Sequence, residues 1–353
     1  MGLQPGTGNS VFVGAAGQSC NRSSPLCRFL DDCLPQRNLI VEQWTRELSA
    51  EQDRPLQVLD GVNAKWLGSA ADLRIGLDLG ADPGYWNLVS FLPAEHYRAL
   101  MAAAGFTTMP PISPHGGDVD PLLQHWRRTS RPTQIDEQQR AALGLCLDAA
   151  ELDSLGHRWG PTRQPDYRRS FFVAVHEDDP DHTSQRRHEP ALIDAFTDLW
   201  DLYLRQGRDQ LHTEGGTVLT SPELAAGFAT ADLITDQTLI EIKTAAQPET
   251  LLDKALNQIL GYVLCDRDDE FRLHTVCLYL SRQAKSLTVS LEDILRTATP
   301  GPTPQWQSLR TQFQEALGDD LHRAAENARP AQPGNPQRTY GSPVVRPSQE
   351  AGD

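Results

Sequence analysis

The chain holds very little lysine: four residues among 353, against 28 arginines. It also lacks an excess of positive charge. Lysine and arginine together number 32 and the acidic residues 47, a net charge of −15. That balance excludes a protein that coats nucleic acid through bulk electrostatics, although an enzyme that touches a few phosphates locally is compatible with it. No apolar run approaches the roughly 20 residues that cross a bilayer, and the opening MGLQPGTGNS lacks the charged and apolar blocks of a secretory signal. A cytoplasmic protein with no membrane partner is the expectation. No CxxC pair occurs, and Cys20, Cys27, Cys33, Cys146, Cys265 and Cys277 are spaced too irregularly for a disulfide framework. A metal or iron–sulfur site built on Cys20, Cys27 and Cys33 would need a distant fourth ligand, so free thiols are expected. The P-loop pattern is missing, which assigns any ATP-driven step to a partner, and no GxSxG elbow or HExxH pair is present.

What is present divides the chain into several parts. Residues 1–24 are rich in Gly, Ser, Asn and Gln and read as a flexible N-terminus. Residues 25–150 form a mixed α+β segment. Helices are expected from about Gln36, over PAEHYRALMAAAGF and over DEQQRAALGLCLDAAELDSL, and short strands over LQVLDGVNAKWL and LRIGLDLG. No catalytic motif falls in this segment, so a recognition or docking role, towards a partner protein or a second copy, is assigned to it by exclusion. Residues 151–298 are more regular. An amphipathic helix (189–210) is followed by three strand-like segments (GTVLTSP, GFATADLIT, TLIEIKTA), a helix over PETLLDKALNQILGYVLCD, and two more strands. The order helix, three strands, helix, strand, strand predicts an α/β layered fold. A C-terminal helix is expected within 299–328, and residues 329–353 have the Pro/Gly-rich composition of a disordered tail.

One of the rare lysines, Lys243, lies two residues after Glu241 in an apolar strand, where a charge is costly unless something nearby needs it. With Asp236-Gln237 at a hairpin turn, Thr235 faces Thr238, Leu233 faces Ile240 and Asp232 faces Glu241. Side chains alternate, so Asp232, Glu241 and Lys243 share one face of the sheet. Two carboxylates directly opposed across a ladder repel each other. A divalent cation between them reverses that sign, and hard oxygen ligands suit Mg²⁺. The lysine beside them then holds an attacking water or a phosphate. A solvated strand face with alternating charges is the competing explanation. On the next helix, Lys254, Gln258 and Tyr262 fall at i, i+4 and i+8, where Lys254 reads as a solvated helix edge. The loop HEDDPDHTSQRRHE (176–189) packs histidines among acids without a metal-ligand spacing and reads as solvated. The basic cluster HWRRTSRP (125–132) is put down to the chain's preference for arginine over lysine, while Arg168, Arg169, Arg186 and Arg187 are read as solvated, with lining the approach to the site as their alternative role.

Asp232, Glu241-Ile242-Lys243 and Gln258-x-x-x-Tyr262, in that order of elements, resemble the PD-(D/E)XK nuclease superfamily over residues 189–296. The Gln-to-Tyr spacing is similar to its RecB-like branch, which includes lambda-type exonucleases. The resemblance implies a restriction-endonuclease-like core and Mg²⁺-dependent hydrolysis of DNA, with Mn²⁺ as a substitute. It implies Asp232, Glu241 and the carbonyl of Ile242 as metal ligands, Lys243 at the attacking water, and Gln258 and Tyr262 orienting substrate. An acid of the preceding helix would complete the site, with Glu189 as candidate and Asp194 and Asp198 as rivals. Ala231-Asp232 replaces the family's Pro-Asp. No cluster-binding cysteines follow the core, so no iron–sulfur cluster is expected. Antiviral defence, restriction and DNA repair are the roles implied, with an RNA-directed nuclease ranked behind them. An idle nuclease-fold binding or scaffold protein is the alternative from another class.

Overall fold

The computed structural model describes residues 25–50, 56, 64–80, 92, 94–108, 126–159, 190–211, 218–220, 222–225 and 229–328. Residues 1–24 and 329–353, the loop at 176–189 and Arg168, Arg169, Arg186 and Arg187 lie outside them. The N-terminal half contributes α1 (Pro25–Cys33), α2 (Asn38–Ala50), α3 (Ala64–Leu79), α4 (Ala94–Ala103), a small hairpin of β1 (Phe106–Thr108) and β2 (Trp126–Arg128), and α5 (Glu137–Trp159). Then come α6 (Pro190–Leu202), a π-helical turn Tyr203–Gly207 and α7 (Arg208–Leu211). Next are β3 (Val218–Thr220), the two-residue pair β4 (Glu223–Leu224) and β5 (Ala229–Thr230), β6 (Leu233–Thr235) and β7 (Thr238–Lys243). The chain continues through α8 (Leu252–Cys265), β8 (Thr275–Leu280), β9 (Lys285–Ser290), α9 (Leu291–Ala298) and α10 (Trp306–Ala328). Among the described residues no helix is long and apolar enough to cross a membrane.

The protein is a mixed α/β structure built on a five-stranded sheet in the order β3-β6-β7-β8-β9. Only the β7–β8 pair is parallel, as the intervening α8 allows; the other pairs are antiparallel. The β6–β7 hairpin has the register expected from the sequence, with Leu233 opposite Ile240 and Thr235 opposite Thr238. Its turn is made by Asp236 in the left-handed region, at φ 52°, a conformation that Asp tolerates better than most residues. β7 is the central strand, and both of its faces are buried.

Strict alternation sorts the sheet into two cores. Leu233, Ile240, Ile242, Cys277 and Tyr279 face one way, into a core with α3, α4, α5 and α6. Ile234, Leu239, Val276, Leu278 and Leu287 face the other, into a core with α1, α2, α8, α9 and α10. Segments 25–150 and 151–298 therefore contribute side chains to both cores. Helix α8 carries an apolar stripe at Leu252, Leu256, Ile259 and Val263, all buried at 0% exposure, and each such leucine contributes about 1.5–3 kcal/mol by leaving water. Ser290 caps α9: its hydroxyl accepts from the Asp293 N–H at 3.0 Å and donates to the Asp293 carboxylate at 2.7 Å.

Three sequence expectations are corrected. LRIGLDLG, expected as a strand, is the last part of α3, and Ala64–Leu67, the end of the other expected strand LQVLDGVNAKWL, opens that helix. Every residue from Leu73 to Leu79 is buried, so the apolar positions surround the helix, and the 3.6-residue period that would betray it is erased. Cys27, expected as a free thiol, is disulfide-bonded, while Cys33, Cys146, Cys265 and Cys277 are free.

Candidate functional site

The ladder between β6 and β7 ends at Leu233, and there Asp232 takes over. Its Oδ2 accepts the Ile242 N–H at 2.7 Å, a bond that the next residue of a longer β6 would have made. A strand residue's N–H and C=O leave the backbone on the same side, so the Ile242 carbonyl also points to the side of Asp232. Lys243, one residue on, turns its carbonyl the opposite way, where it accepts the Ser281 N–H at 3.0 Å. Ile242's own side chain is buried in the α3-side core.

Glu241 is wholly buried, at 0% exposure. Lys243 Nζ donates to its Oε1 in an ion pair, and Lys243 keeps a side-chain exposure of 24%. Asp232 and Glu241 lie within hydrogen-bond reach of each other. Burial, and then the neighbouring Asp232 charge, pushes the Glu241 carboxyl up to about 8 against the pull of Lys243. Burial also raises Asp232, opposed by Lys243 and the Ile242 N–H. For Lys243 burial works against the charge, but Glu241 and Asp232 outweigh it and hold the ammonium above its ordinary value. Face-sharing thus brings together the three residues that the sequence singled out, around one ammonium.

From α8, Tyr262 reaches the same region: burial and then the Glu241 and Asp232 charges raise its phenol well above the usual value. Gln258 Nε2 donates to the Tyr262 hydroxyl at 2.6 Å, as their i, i+4 spacing allows. Lys254 is exposed. Glu189 lies outside the described residues. Asp194 is on the exposed side of α6, paired with Arg140, and Asp198 is likewise exposed.

A further acid comes instead from α3, far back in the chain. A methyl placed at Gly68 would sit 3.7 Å from Thr244 Oγ1, so this turn of α3 lies against the residue that follows β7. Asp72 is one turn further along the same helix face. Burial first, then Asp232 and, against the pull of Lys243, Glu241 drive its carboxyl well above the usual range. Its Oδ1 is buried without a hydrogen-bond partner, and so is Glu241 Oε2. Sequence reading missed Asp72 because LRIGLDLG looked like a strand; the one usable signal was a lone acid, ADLRI, in an otherwise apolar stretch.

Among the described residues no group of three or more His, Cys, Asp and Glu is gathered to hold a metal ion. Mg²⁺ does not require one, since it takes one or two carboxylates and keeps several waters. Two orphaned buried carboxylate oxygens, an opposed Asp–Glu pair and a carbonyl turned to the same side are a donor set that fits such a hard cation. Compared with known protein families, curated proteins and solved structures, the chain shows no match.

Proposed function

We propose that the protein is a metal-dependent nuclease that hydrolyses DNA phosphodiester bonds, with a restriction-endonuclease-like core formed by α6, β3, β6, β7, α8 and β8. The observation that carries this reading is the gathering of the wholly buried Glu241 and the half-buried Asp232 and Asp72 around one ammonium, with one oxygen each of Glu241 and Asp72 buried without a hydrogen-bond partner. Buried like charges destabilise a fold, and a bound cation is the simplest thing that reverses the sign.

Asp232, Glu241 and the Ile242 carbonyl would hold the ion, with Asp72 beside them. When bound, a divalent cation supplies an activated water at neutral pH and neutralises charge developing on the phosphate. Lys243, partly exposed, is the group that can leave Glu241 to hold the attacking water by hydrogen bond and stabilise negative charge on a non-bridging phosphate oxygen. Burial and the Asp232 charge disfavour the Glu241 carboxylate, and a bound cation would favour it. The Gln258 amide fixes the Tyr262 hydroxyl, whose oxygen is then set to meet a phosphate or a base edge. Segment 25–150 is not a bystander in this reading, because it supplies Asp72. Defence, restriction and repair are the settings that suit such an activity.

The second reading, an idle nuclease fold that binds nucleic acid or serves as a scaffold, draws on the Lys243–Glu241 ion pair, which partly neutralises the site without a cation. Incubating the purified protein with linear and closed-circular plasmid in Mg²⁺, Mn²⁺ or EDTA separates the two. Metal-dependent cutting that Lys243→Ala abolishes, in a variant that still folds, is the expected result, and cutting of the closed circle marks an endonuclease. Intact DNA under every condition supports the scaffold.

A further inference from the structure

Six residues beyond Asp72, α3 carries a second charged cluster that takes no part in the chemistry above. Asp78 is 1% exposed. Its carboxylate accepts from Arg208 Nε at 2.8 Å, from Arg208 Nη2 at 2.7 Å and from the Tyr203 hydroxyl at 3.0 Å. Arg208 Nη2 also donates to the Pro132 carbonyl at 2.7 Å. Arg128 of β2 donates to the Asp78 carbonyl at 2.7 Å and to the Leu77 carbonyl, holding the last turn of the helix. Arg74, one turn before Asp78 and fully buried, donates to Gln139 of α5 at 2.6 Å and lies over the Trp200 ring at 4.2 Å.

A buried ion pair is seldom better than apolar packing of the same volume, and its best-attested use is to select one register. This helix has a register problem. Every residue from Leu73 to Leu79 is buried, so over these last two turns of α3 apolar contacts alone do little to distinguish one rotation from another. A slip of one residue turns a helix by about 100° and shifts it about 1.5 Å along its axis. That would carry Asp72 away from Glu241 while leaving the burial of those last two turns nearly unchanged. A bidentate guanidinium–carboxylate pair tolerates no such turn, since both bonds depend on the orientation of one planar fork.

We infer that the Asp78–Arg208 pair is a positioning device for the candidate metal site: by selecting the rotation and register of α3, it holds Asp72 at Asp232 and Glu241. The inference rests on the reading of that site given above. Asp78 acts through Asp72, so the two must be non-additive.

The test is Mn²⁺ binding to the full chain, followed by electron paramagnetic resonance of free Mn²⁺ and by calorimetry. It compares the wild type with Asp72→Asn, Asp78→Asn and the double variant, and urea unfolding confirms a cooperative fold for each. Arg208→Lys, which keeps the charge but loses the fork, and Tyr203→Phe are milder variants that decide the matter if Asp78→Asn fails to fold. Outer-shell partners of metal ligands typically change affinity 10- to 100-fold, and loss of about tenfold is expected for Asp78→Asn and for Arg208→Lys. The double variant should bind no more weakly than Asp72→Asn alone. Wild-type affinity in folded Asp78→Asn and Arg208→Lys, or losses that multiply in the double variant, overturns the positioning role alone. A wild-type chain that binds no Mn²⁺ overturns the reading of the site and the inference with it.

Discussion

Among the described residues, Lys243 is the one ammonium beside Asp72, Asp232 and Glu241, and replacing it with alanine makes the electrostatics of the site measurable as stability. Breaking a buried pair by removing one partner costs about 3–5 kcal/mol, because the other charge is left uncompensated. Here Glu241 holds its proton up to about pH 8 even with the lysine present, so a proton can replace part of the lost charge near neutrality. The expected loss for Lys243→Ala in EDTA is therefore about 3 kcal/mol at pH 9, where Glu241 is ionised, and less at pH 7. A cation that binds the folded site returns stability in proportion to its occupancy, about 2.7 kcal/mol at a hundredfold excess over the dissociation constant. The variant should gain more from Mg²⁺ than the wild type, whose own ammonium competes for the same carboxylates. Urea unfolding of both proteins, in EDTA and across a Mg²⁺ series, reads all of this directly. A variant within about 0.5 kcal/mol of wild type in EDTA at pH 9, the range of an ordinary surface substitution, would refute the argument that the lysine compensates buried charge. Equal Mg²⁺ responses would refute competition between Lys243 and the ion.

Two further outcomes follow from the same geometry. The metal-free wild type should lose stability as pH rises from about 5 to 8: the folded Glu241 carboxyl sits near 8 against an ordinary 4.5, so in that window the folded state binds more protons than the unfolded one. The slope is at most about 1.4 kcal/mol per pH unit, and saturating Mg²⁺ should flatten it; a flat metal-free profile in urea unfolding would count against the raised carboxyl. Gly207→Ala should destabilise by about 1–3 kcal/mol, since the new methyl would lie 1.9 Å from the hydroxyl of the fully buried Tyr279, and a thermal midpoint unchanged from wild type would show that the π-helical turn relaxes around it.

How far the site was legible depended on the range of the interactions involved. The β6–β7 register followed from a two-residue turn and from alternation, both local, and the structure has Leu233 opposite Ile240 as those rules require. The Gln258–Tyr262 bond followed from helical spacing within one element. Asp194 and Asp198, by contrast, were reasonable only while α6 was known by its order in the chain; the side of α6 that carries them faces out, and Asp194 pairs with Arg140.

By itself, the sequence determined β6, β7, their turn and the face on which Asp232, Glu241 and Lys243 meet, because hydrophobic alternation and turn chemistry act over a few residues. Only the tertiary structure decided that Asp72 joins them. A helix whose last two turns are buried on all sides carries little periodic signature of its orientation there, and the partners that hold it, such as Arg208, lie far from it in the chain and close to it only after folding.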